Sequence, residues 1–177
     1  MKLVEAGPVT DEEFEALIEA GDFEREPELI DGYIEWRDAE MATITHGAWV
    51  TAIVVWFSSR AEQWNINAYP GVTNKTAPLN SLIPDVTVLS LDARDEKYVT
   101  GVPLAVFEVL SPKQSKTVLK AKFAKYEQKG IKQIWLINPD KGVWQRHLDG
   151  RLTGSDQFTG VGTIPPFSML EISKLVR

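Results

Sequence analysis

The chain has 177 residues, 44 % hydrophobic and 25 % charged, with a net charge of −6. That balance predicts one globular domain over residues 1–177 and excludes a disordered chain. There are no cysteines and only two histidines, His46 and His147. This excludes disulfides, thiol catalysis, thiolate metal sites and multi-histidine zinc sites, and agrees with a reducing, cytoplasmic setting.

The opening MKLVEAGPVTDEEF lacks the apolar segment of a secretory leader. Thr10 and Glu13 then match a capping box, and Phe14, Leu17 and Ile18 form one stripe, predicting a helix over 11–20 that stops at Gly21. Asp31-Gly32 between apolar flanks predicts a two-residue hairpin joining strands 27–30 and 33–37. Residues 44–64 read as the longest helix, with Trp49, Ile53, Trp56 and Phe57 at helical spacing. Its apolar run falls short of the ~20 residues a bilayer span takes. Residues 66–79 are strand-like pieces broken at Gly71 and Asn74, and 83–90 is a strand. After a charged loop over 91–101, the strand 104–110 is apolar at nearly every position, as a central strand covered on both faces would be. A lysine-rich helix over 115–129 stops at Gly130, and 132–138 is another buried strand. Strand 142–148 turns at Asp149-Gly150, and the tail from Thr153 is weakly patterned. This order predicts an α/β or α+β sheet with mixed pairing, flanked by helices.

Three residues carry the chemistry. If strands 83–90 and 104–110 pair antiparallel with Leu89 opposite Leu104, Asp85 stands opposite Glu108. Like charges placed so destabilise a sheet, and a hard divalent cation between them would reverse that sign. Read this way, Asp85 brings no stability of its own; the plainer reading is two unrelated carboxylates at strand ends. On the following helix Leu119, Phe123 and Tyr126 point inward, and Lys122 lies roughly 60° to one side. Such a lysine can hold its ammonium near the sheet end or simply snorkel, and Lys116 competes from the other flank. Residues 113–132 carry seven lysines against one glutamate, a local +6 in an acidic chain. This is a solvated face or a surface for a nucleic-acid backbone.

The segments PELIDGYIEW (27–36), IPDV (83–86), FEVLSP (107–112), IWLINP (134–139) and IPPFSMLEI (164–172), with His46, Lys122, Tyr126 and Gly130 between them, carry a resemblance. In this order the chain resembles the Uma-type family of restriction-endonuclease-like proteins, in the PD-(D/E)XK nuclease superfamily. The resemblance implies a restriction-endonuclease-like mixed sheet flanked by helices, with an N-terminal helix and hairpin. It implies hydrolysis of DNA phosphodiesters with Mg²⁺ or Mn²⁺ held by Asp85, Glu108 and the Val109 carbonyl. Lys122 is the implied catalytic lysine, moved onto the helix because Leu110 occupies the usual position. Glu28 is implied as a third acid, His46 and Tyr126 as auxiliary residues. Lys113, Lys116, Lys120, Lys125 and Lys129 would follow the DNA backbone. Superfamily enzymes often form homodimers, though no interface is legible here. One departure stands out: the family usually has an aspartate four residues before this lysine, and here it is Val118. That keeps open an alternative, a catalytically inactive DNA-binding or protein-interaction module.

Overall fold

A computed structural model describes residues 8–21, 23, 26–36, 43–93, 97–112 and 114–176. Helix α1 (Asp11–Glu19) begins with the expected capping box between Thr10 and Glu13. Strands β1 (Pro27–Ile30) and β2 (Tyr33–Trp36) pair around Asp31 and Gly32, whose φ angles of 53° and 81° suit the type I′ turn.

The long helix is in fact two, α2 (Ile44–Ser58) and the single turn α3 (Ala61–Trp64). Ser59 Oγ and Arg60 Nη1 both donate to the Trp56 carbonyl, at 2.8 and 2.9 Å. The Arg60 guanidinium also lies 4.0 Å over the Trp56 ring, so side chains take what the next helical turn would use. Strand β3 (Ile66–Pro70) follows, then β4 (Asn74–Ala77) and β5 (Asn80–Leu82). Asn74 therefore begins a strand rather than breaking one. It is fully buried, its amide donating to the Val72 carbonyl and Thr87 Oγ1.

Strand β6 is Val86–Ser90, shorter than expected, because Ile83 gives its N–H to a side chain and Pro84 has none to give. Then come β7 (Ala105–Val109), α4 (Lys116–Gln128), β8 (Gln133–Asn138), β9 (Val143–Leu148) and β10 (Arg151–Gly154). The unpatterned tail forms β11 (Gln157–Phe158), β12 (Phe167–Ser168) and the short α5 (Leu170–Ser173).

Two sheets carry these elements. The larger has the order β10-β9-β8-β7-β6-β3, with β7 and β8 parallel and the other pairs antiparallel. The smaller has the order β2-β1-β5-β4. Alternation along β7 sorts its side chains between two cores. Ala105, Phe107 and Val109 face the core with α2 and the tail, where Trp49, Phe57, Phe158 and Met169 pack. Val106 faces the core under α4, with Leu119, Phe123 and Tyr126, joined by Ile30 and Leu82 from the smaller sheet. Glu108 shares the parity of Val106, which puts a carboxylate on the α4 side. Among the described residues no helix is long and apolar enough to cross a membrane.

The hairpin that carries Glu28 depends on its turn. A Cβ built on Gly32 would lie 2.6 Å from the Pro8 Cβ, at a φ of +81°. Gly32→Ala should cost about 1–3 kcal/mol in urea unfolding. Gly47→Ala, in α2 with nothing within 4 Å, should instead gain roughly 0.5–1 kcal/mol. Equal stability of the two variants would contradict this account of the turn.

Candidate active site

Strands β6 and β7 pair as Val86–Phe107, Thr87–Val106 and Val88–Ala105, the register expected from the sequence. Carried one residue further, it sets Asp85 beside Glu108. Helix α4 crosses from β7 to β8 over this sheet end, and Lys122 and Tyr126 lie one turn apart on its inner face. The polar side chains that meet there are withdrawn from water: Glu28 is 3 %, Asp85 8 %, Glu108 2 % and Lys122 3 % exposed.

The Lys122 ammonium is the hub. It lies 2.7 Å from Glu108 Oε1 and 2.9 Å from Glu28 Oε1, and 3.4 Å from the Ile83 carbonyl. Tyr126 donates its hydroxyl to the same Glu108 oxygen at 2.7 Å. Glu28 Oε1 also accepts the Ile83 N–H at 2.5 Å. Asp85 Oδ2 accepts the Val109 N–H at 2.7 Å and lies 3.3 Å from His46 Nε2. His46 stands in the first turn of α2, where Thr43 caps its N–H; its Nδ1 is buried without a hydrogen-bond partner among the described residues.

Electrostatics divide the acids. Burial pushes the Glu108 carboxyl up to about 7; Lys122 opposes this, while Asp85 and Glu28 add to it. Burial also pushes Asp85 up, but the His46 contact, the Val109 N–H and Lys122 outweigh it and hold its carboxyl below the usual range. Desolvation disfavours the Lys122 charge, yet Glu108 and Glu28 hold its basicity above that of a free lysine. Burial and the same two carboxylates push the Tyr126 phenol well up, so it stays a donor.

The sequence places Lys122 on a flank; the structure buries it and leaves Lys116 exposed, which separates the two lysines that helix geometry left open. The basic segment is less uniform than its composition. Lys120 is exposed, but Lys125 pairs with Asp31. Lys129 donates to the carbonyls of Lys75, Val99 and Thr100, and partial burial lowers it to about 8. Lys113 lies outside the described residues. Val118 packs against the core under α4. The Val109 contact at this site runs through its N–H. The part played by the Ile83 backbone had no signal in the sequence, since any residue carries those groups.

Among the described residues no group of three or more acidic, histidine or cysteine side chains is arranged to hold a metal. A pair of carboxylates nonetheless suits Mg²⁺, which keeps several waters and takes one or two carboxylates with substrate phosphates. Three carboxylates around one ammonium leave the site with surplus negative charge, which a divalent cation would offset.

Removing the ammonium strands two buried carboxylates. Lys122→Met should therefore destabilise the protein by about 3–5 kcal/mol, and adding Glu108→Gln should recover part of that loss. Asp85, held ionised, contributes stability above its unfolded pKa that is lost as pH falls through its lowered folded value. This reverses the sequence expectation, and Asp85→Asn should cost about 1–3 kcal/mol at pH 7. Glu108 has the opposite sign. Its contribution is fullest below its unfolded pKa and falls as pH rises to about 7. Urea titrations should show wild type losing stability relative to Glu108→Gln across that window and running parallel above it. Parallel curves throughout would contradict the assignment.

A family model described as "Putative restriction endonuclease", Uma2, matches residues 11–166. Among solved structures, the chain is similar to one described as a putative nuclease belonging to DUF820 from Anabaena variabilis ATCC 29413. The TM-score is 0.75 at 19 % identity, over 96 % of this chain and 100 % of that one. At this identity the likeness establishes the fold, a mixed sheet flanked by helices. No curated protein matches the chain significantly. Since the family model spans all the acids described above together with Lys122, the chain belongs to the Uma2 family of restriction-endonuclease-like proteins.

Proposed function

We propose that the protein is a metal-dependent endonuclease hydrolysing DNA phosphodiester bonds, with Asp85 and Glu108 as metal ligands and Lys122 as the catalytic lysine. The observation that carries this reading is the convergence of Lys122 with the two acids at one sheet end, on an element remote in sequence from either. Mg²⁺ or Mn²⁺ in that place would polarise a phosphoryl oxygen and lower the pKa of a bound water. The Val109 carbonyl, next to Glu108, is the further ligand proposed.

Each remaining role falls to a residue of this chain. Glu108 must lose its proton before it can ligate, so its raised pKa makes metal affinity rise with pH up to about 7. Tyr126 holds the Glu108 oxygen that faces Lys122. His46 supports Asp85 from α2. The Lys122 ammonium is preorganised by acceptors on its own chain, so it can stabilise charge developing on the phosphate without moving far. Lys116 and Lys120, both exposed on α4, are the lysines suited to touch the DNA backbone.

Cleavage of plasmid DNA with Mg²⁺ or Mn²⁺ tests the assignment. Wild type should cut, and Asp85→Asn should lose about a hundredfold or more in rate. Lys116→Ala should lose only a salt-sensitive part of DNA affinity, as one phosphate contact would give. If wild type cuts with neither metal, the catalytic reading falls. The fold would then be one retained for DNA or protein binding.

A further inference from the structure

Glu28 stands apart from the two acids at the sheet end. It belongs to β1, in the smaller sheet, and both of its contacts fall on one oxygen: the Ile83 N–H and the Lys122 ammonium. That ammonium is interposed between Glu28 and Glu108. A cation ligated by the same oxygen would have to displace it. Asp85 owes its lowered pKa to His46, Val109 and Lys122, so Lys122 acts on it directly.

We infer that Glu28 is the positioning residue of Lys122: it holds the ammonium in the site and does not ligate the metal. The purpose of this holding rests on the nuclease reading; the holding itself does not. Helix α4 offers no carboxylate for the task, because the position one turn before Lys122 is the apolar Val118. Without Glu28 the ammonium keeps only Glu108 and the Ile83 carbonyl. Glu108 is a poor sole anchor if it is also a metal ligand, because the cation would draw on the same carboxylate. A lysine has a flexible four-carbon stem, so its charge stays in place only where fixed acceptors define it. Glu28 is itself fixed by the Ile83 N–H, two residues before Asp85. One carboxylate thus sets the ammonium and secures the segment that carries the other acid.

The test compares Glu28→Gln with wild type, because glutamine keeps the acceptor for the Ile83 N–H and loses only the charge. Three readouts are taken: the assigned Lys122 ammonium resonance in ¹H–¹⁵N spectra, Mn²⁺ affinity by calorimetry, and plasmid cleavage. In wild type the ammonium should exchange slowly with water, and in Glu28→Gln about tenfold faster or more. Mn²⁺ affinity should stay within about twofold, while kcat falls about tenfold or more at nearly constant KM. Glu28→Asp should restore part of both the resonance and the rate, and it takes the same three measurements should the glutamine variant not fold. An unchanged resonance in the variant overturns the inference. So does a loss of about tenfold or more in Mn²⁺ affinity, which would make Glu28 a ligand. If wild type cleaves nothing, the nuclease reading fails, and the resonance alone still decides whether Glu28 holds Lys122.

Discussion

The Lys122 ammonium lies between carboxylates that come from two different sheets, and much of the architecture serves that contact. Burying the three groups costs desolvation of each, and such a cluster persists only where its hydrogen bonds are complete. Here they come from α4, from β1, from the end of β7 and from the Ile83 backbone. Each of these elements is docked by apolar packing of its own. The α4 stripe of Leu119, Phe123 and Tyr126 meets Val106 and Leu136 from the larger sheet and Ile30 and Leu82 from the smaller. The apolar core brings the elements together, and the charges fix their depth and register, because a shift along β7 would strand a carboxylate.

The two acids are thereby made unlike. Asp85 sits where a backbone N–H and an imidazole favour its ionised form; Glu108 sits deeper, where burial raises its pKa. A pair with separated proton affinities at one sheet end is an arrangement that structural ion pairs do not require and that sites handling a cation or a proton use. The acidic balance of the whole chain is no obstacle to a nucleic-acid partner, since field and contact are local and Lys116 and Lys120 stand free on α4.

What the sequence made legible follows from how local its causes are. Asp31-Gly32 encodes its own turn, Thr10 and Glu13 their own cap, and the apolar run at 105–109 its central place in the sheet. The register of β6 on β7, and with it the pairing of Asp85 and Glu108, followed from aligning two apolar segments. The burial of Lys122 was not legible: its helical angle puts it on a flank, and only the smaller sheet, packed against the larger, supplies Glu28 on that flank. The same holds for Lys125 and Lys129, which composition counts as free charge and which fold back on Asp31 and on three carbonyls. The break at Ser59–Arg60 and the burial of Phe158, Met169 and Ile172 are likewise tertiary, set by tryptophan rings and by the α2 face they cover.

The central claim is that Asp85 and Glu108 form one cation site with Lys122 beside it. Anomalous diffraction at the manganese edge, from crystals grown with Mn²⁺, tests it most directly. The account predicts a peak within about 2.0–2.4 Å of an oxygen of both carboxylates, with the Lys122 ammonium still on Glu28. A peak ligated by other residues, or no peak between Asp85 and Glu108 at saturating Mn²⁺, would contradict it.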